Sequence, residues 1–122
     1  MKKSFENARL YVRVNDRIGG YDIFMNAFGK PEFVLHYRKS NLLKKNLKEG
    51  MTIRELDSSK KNMARRYNRR NASASQRLVN SVDHLLIVAE EVYEDSREAY
   101  EERISARRFR KADSGFSNSE AA

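Results

Sequence analysis

The chain contains no cysteine, which excludes a disulfide framework and any zinc site built on thiolates. It also lacks a long apolar run. The longest, Leu85-Leu86-Ile87-Val88-Ala89, is a fragment of the ~18 residues that a membrane-spanning helix needs, so no membrane segment is expected. The opening Met1-Lys2-Lys3-Ser4-Phe5-Glu6-Asn7 carries the charge of a signal peptide without the apolar stretch behind it. A cytoplasmic or nuclear location, or one inside a virion, is expected rather than secretion.

Catalytic inventory is equally sparse. His36 and His84 are the only histidines and fall in different predicted elements. No serine is bracketed by the glycines of a nucleophile elbow. Gly19-Gly20 has neither the spacing nor the following Lys-Ser/Thr of a phosphate loop. The carboxylate pairs Glu90-Glu91, Glu94-Asp95 and Glu101-Glu102 read as a solvated helix face, and no loop supplies metal-ligand spacing. A non-enzymatic protein without a cofactor or metal is therefore expected, one that works by binding.

What the chain does have is charge in blocks. The net charge of +8 is spread unevenly over 122 residues. Residues 38–71 hold twelve Lys/Arg against three Asp/Glu, residues 72–102 hold two against eight, and residues 103–111 hold five against none. Blocks of this kind set up oriented electrostatic contacts, within a fold or between copies.

Hydrophobic periodicity changes along the chain. In Ala8-Arg9-Leu10-Tyr11-Val12-Arg13-Val14, alternation puts Ala8, Leu10, Val12 and Val14 on one face of a half-buried strand. Tyr21–Phe28 fits either a second strand or a short helix, with the preceding Gly19-Gly20 favouring a hairpin and hence a strand. Phe33–Tyr37 reads as another strand. From Ser40 onward the pattern is helical. Ser40 is a candidate cap for a short helix ending near Lys48 and Gly50, and Thr52-Ile53-Arg54-Glu55 matches a capping box. Asp57-Ser58-Ser59 is a possible interruption of the helix that follows. Residues 71–75 read as a polar linker with Ser75 as the next cap. Leu78, Val82, Leu85, Ala89, Val92, Ser96 and Ala99, flanked by Val79, Leu86, Tyr93 and Tyr100, then form one amphipathic stripe from Gln76 to about Lys111.

These signals predict an α+β fold: a small N-terminal antiparallel sheet, then a helical region dominated by one long amphipathic C-terminal helix. A single domain is expected over 1–111, strand-rich over 1–39 and helical over 40–111, with a flexible polar tail at 112–122.

The strongest binding signal is the run from Lys60 and Lys61 through Arg65, Arg66, Tyr67, Asn68, Arg69 and Arg70. Arginines four apart stack on one side of a helix and can reach successive phosphates with forked donors. Tyr67 can stack on an unpaired base and Asn68 can read a base edge. Arg107, Arg108, Arg110 and Lys111 would widen the footprint beyond what a helix dipole requires. The bland alternative is a solvated face, or a strip neutralised by the acidic helix that follows. Lysines 39, 44, 45 and 48 read as ordinary solubilising charge.

Nucleic acid is thus the expected partner, RNA slightly ahead of DNA. A second reading is a viral or phage structural or assembly protein making helical, charge-complementary contacts with itself or another protein. A third is a small inhibitor of a nucleic-acid-binding partner. Val92, Tyr93, Ala99, Tyr100 and Ile104 continue the apolar stripe beyond what a small domain is expected to cover. They form a candidate oligomer interface.

Overall fold

A computed structural model describes residues 3–69 and 71–121, with side chains described over 4–69 and 71–108. The elements in chain order are α1 (Lys3–Glu6), β1 (Arg9–Val14), β2 (Tyr21–Asn26), β3 (Pro31–Tyr37), α2 (Leu43–Asn46), β4 (Met51–Thr52), α3 (Ile53–Asn68) and α4 (Ala72–Ala121). The fold is α+β: a four-stranded antiparallel sheet ordered β3-β2-β1-β4, followed by helices that include one long C-terminal helix. The segment read as a tail, 112–122, lies outside the residues whose side chains are described.

Local chemistry explains the turns. Between β1 and β2, the Asn15 side chain accepts from the backbone N–H of Arg17 and Ile18. Gly19 and Gly20 then take positive φ of 81° and 70°. Gly20 is doubly constrained, since a Cβ there would sit 2.3 Å from the Tyr37 carbonyl oxygen. The β2–β3 turn repeats the device, with Asn26 Oδ1 accepting from Gly29 N at 2.9 Å. Tyr21–Asn26 is therefore the strand that the glycine pair favoured. In β3, Phe33 pairs with Phe24 and Leu35 with Ile23, so Val34 is the extra residue of a bulge.

The helical region corrects several details. Ser40 caps nothing: α2 is a single turn, and Asn41 Oδ1 accepts from Leu43 N at 2.9 Å. Thr52 does cap α3, accepting from Glu55 N at 3.1 Å, and Asp57-Ser58-Ser59 does not interrupt that helix. The linker is shorter than expected. α4 starts at Ala72, with Asn71 Oδ1 accepting from Ala74 N at 3.1 Å. Ser75 is buried and donates its hydroxyl to the Ala64 carbonyl, tying α4 to α3.

One cluster of buried side chains runs from Phe5 to Tyr93. Leu10, Tyr21, Ile23, Met25, Val34 and Leu35 come from the sheet, Ile53, Leu56 and Met63 from α3, and Leu78, Val82, Leu85, Ala89 and Tyr93 from α4. The two helices lie on the same face of the sheet, the one carrying Leu10, Ile23 and Leu35. The other face carries Arg9, Tyr11, Arg13, Asp22, Phe24, Phe33 and His36, none of which joins the core. No helix among the described residues is long and apolar enough to cross a membrane.

Candidate functional site

α3 and α4 form an antiparallel pair, tied where Asn71 N donates to the Tyr67 carbonyl and Ser75 to that of Ala64, so the end of α3 and the start of α4 lie together. Arg65, Arg66 and Arg69 occupy the last turn and cap of α3, exposed and without a carboxylate partner among the described residues. Asn68 and Lys61 are exposed as well. Arg70's side chain lies outside the described residues. Two of the run's members are otherwise engaged. Lys60 Nζ meets Asp83 Oδ1 at 2.8 Å, which binds it to α4, and that hydrogen bond raises the lysine's pKa. Tyr67 packs against the core instead of standing clear between the arginine pairs, so its expected role as a base-stacking ring does not fit its position.

The topology adds cations that the linear run did not include. β3 ends at Tyr37, whose hydroxyl donates to the Ser81 carbonyl of α4 at 2.7 Å. Asn41 Nδ2 donates to Ser81 Oγ at 2.9 Å, and Tyr21 donates its hydroxyl to Asn41 Oδ1 at 3.2 Å. Lys44 N in turn donates to the Tyr21 hydroxyl at 3.1 Å. Burial pushes the Tyr21 and Tyr37 hydroxyls from 10.0 up to about 12, so both are neutral donors at physiological pH. This network fastens the 38–46 segment onto α4 beside Arg77.

A cavity of about 530 Å³ opens there, lined among others by His36, Arg38, Ser40, Asn41, Arg77 and Ser81. Neither Arg38 nor Arg77 has a carboxylate partner among the described residues. Residues 33–48 hold five Lys/Arg and no Asp/Glu, and residues 58–82 hold seven and none. The fold brings these two acid-free stretches to one end of the molecule. Two carboxylates beside them are bonded, Asp83 to Lys60 and Asp22 to His36 Nδ1, each at 2.8 Å, while Asp57 lies near enough to Lys60 to help raise its pKa. The signal for Arg38 and Arg77 was present in the sequence as the absence of acidic residues, not as a cluster of basic ones.

The second basic cluster does not join the first. Arg107 and Arg108 are exposed on α4, but some 35 residues beyond Ala72, roughly 50 Å along the helix axis. They cannot widen a footprint centred on Arg65–Arg69. Arg110 and Lys111 lie outside the residues whose side chains are described.

The candidate interface residues divide. Tyr93 is only 2% exposed, with its ring 5.4 Å from Phe5 and 5.3 Å from Phe28, and its hydroxyl bonded to Ser4 Oγ. Val92 packs partly on the core. Tyr100 stacks on the other side of Phe28, centroids 5.0 Å apart. The premise that this stripe outruns its cover fails at Tyr93, whereas Tyr100 remains 38% exposed beside Phe28. The β2–β3 turn reaches over α4, and Phe28 fills the space between the two tyrosines. Ala99 stays exposed and Ile104 half-buried, beside a shallow groove formed with Lys30, Glu32 and Arg103.

Among the described residues no group of three or more His, Cys, Asp or Glu is placed to hold a metal ion. No family model matches the sequence, and no curated protein or solved structure matches it.

Proposed function

We propose that the protein binds nucleic acid, RNA ahead of DNA, through the basic end of the α3–α4 pair. The observation that carries this reading is the meeting of two acid-free stretches, in which Arg38, Arg65, Arg66, Arg69 and Arg77 have no carboxylate partner among the described residues. Arg65, Arg66 and Arg69 on α3 contact phosphates on one side of the turn. Arg77 and Arg38 contact them on the other, at the cavity. Unpaired guanidiniums held by a hydrogen-bonded scaffold are suited to forked phosphate contacts.

Binding that neutralises several phosphates must weaken steeply with salt, by a log–log slope of roughly −0.7 per phosphate on a single strand. A filter or anisotropy titration against mixed RNA and DNA between low and moderate salt measures that slope. Changing Arg65, Arg66 and Arg69 together to Gln is expected to reduce affinity at least tenfold and to flatten the slope by about two. Absence of binding at micromolar protein in low salt overturns the reading. Unchanged binding by the triple variant moves the site elsewhere.

A further inference from the structure

The helices cover one face of the sheet and leave the other open. An open face of an antiparallel sheet is ordinarily polar. Here its centre is a row of three aromatic rings, one from each of three neighbouring strands. Tyr11 of β1 lies directly opposite Phe24 of β2, which lies directly opposite Phe33 of β3. Phe33 is 52% exposed, Tyr11 and Phe24 are half-buried, and none of the three belongs to the core. Phe24 and Phe33 are 5.9 Å apart in an edge-on arrangement. On β1 the row is straddled by Arg9 and Arg13, both exposed and both on the same face as Tyr11. Along a strand these two lie roughly 13 Å apart. Arg13 holds its guanidinium 5.7 Å from the Phe24 ring centre, while Arg9 donates to the Gly50 carbonyl at 2.9 Å.

We infer that this face is a stacking platform for single-stranded RNA, an inference that rests on the nucleic-acid reading and specifies the form of its ligand. Aromatic rings standing free on a sheet offer successive unpaired bases a flat apolar surface, and arginines beside them meet the backbone. A duplex cannot use such a row, because its bases are stacked on one another. RNA is the strand whose loops and ends present unstacked bases, and its 2′-hydroxyl both donates and accepts. The row is bordered by partners for that hydroxyl. Asp22, the carboxylate on this face of the strands, is held by His36 and by Asn15 Nδ2 at 3.1 Å, and Asn26 keeps its amide N–H₂ beside Arg9. His36, on the platform's face, also lines the cavity together with Arg38 and Arg77, which links the platform to the basic end. A base seated on Phe24 takes the place of the Arg13 guanidinium, which is then released toward a phosphate.

The test compares an unstructured RNA of about a dozen nucleotides, the same sequence as DNA, and an RNA duplex of equal length, by fluorescence anisotropy at one salt concentration. The single-stranded RNA is expected to bind most tightly. Phe33→Leu and Tyr11→Leu keep apolar bulk and remove the ring. Each is expected to lower single-strand affinity by about tenfold and leave duplex affinity unchanged, with circular dichroism confirming the fold. Replacing Arg65, Arg66 and Arg69 by Gln is expected to weaken both ligands. Duplex binding with no preference for single strands, or single-strand affinity indifferent to both ring deletions in folded protein, overturns the platform alone. Equal affinity for the deoxy strand overturns the choice of RNA. Wild-type protein that binds none of the three ligands overturns both readings.

Discussion

At its start, α4 buries Ala74, Ser75 and Leu78 against α3 and the sheet while Arg77 stands beside the cavity. Fifteen residues past Leu78, the same helix buries Tyr93 between Phe5 and Phe28 and carries carboxylates on its outer side. In sequence both stretches are charged, amphipathic and helical. In the fold, the first leaves Arg77 without a carboxylate partner among the described residues and its apolar residues covered by helix and strand. The second has its aromatic ring covered by Phe28, from a turn far earlier in the chain. Charge blocks alone do not tell a binding surface from a packing surface. What tells them apart is which other segments the topology brings alongside.

The sharpest way to break this contrast is to truncate both regions and compare stability. Tyr93→Ala removes a buried ring with two aromatic neighbours and is expected to cost about 3–5 kcal/mol in urea denaturation. Arg65, Arg66 and Arg69 changed to Gln are expected to stay within about 0.5 kcal/mol of wild type. A Tyr93 variant as stable as the parent would return that residue to the surface and restore it as an interface candidate.

Alkaline pH should act at the basic end. Tyr21 and Tyr37 ionise near 10.0 when unfolded and at about 12 when folded. Between those values the unfolded chain releases protons that the folded one keeps, so stability falls as pH rises from about 10 and the contribution is gone above about 12. Tyr37→Phe should flatten that fall in thermal melts taken across the window. An equally steep decline in the variant would place the alkaline sensitivity elsewhere.

The smallest effect is expected at the Lys60–Asp83 pair. Both side chains are partly exposed, at 31% and 47%, so Lys60→Ala should cost no more than about 1 kcal/mol, and less in high salt. A larger, salt-independent loss would mean that the pair orients α3 on α4 and is more than a surface contact.

The sequence was most legible where local chemistry decides the outcome. Alternation in residues 8–14, the glycine pair at 19–20 and the Thr52 cap each act within a few residues, and each led to the element observed. β4 is two residues long and α1 four, too short to carry a period. Ser40 and Ser75 have the chemistry of caps, but neighbouring asparagines supply the bonds, and Ser75 instead bridges to Ala64. The arginine run was legible as charge, whereas the packing of half-buried Tyr67 on the core and the reach of Phe28 over Tyr93 depend on contacts between distant segments. The aromatic row was hidden for the same reason: Tyr11, Phe24 and Phe33 become neighbours only once the strand register is set.

The bulge at Val34 has a consequence for parity. Phe33 and His36 are an odd number of positions apart, so a regular strand would send them to opposite faces. Counting Val34 as the supernumerary residue restores the alternation: Phe33 out, Leu35 in, His36 out, Tyr37 in. Deleting either Val34 or Leu35 would remove the bulge and leave Phe33 and His36 on the open face, so this strand can shorten at its irregularity without inverting.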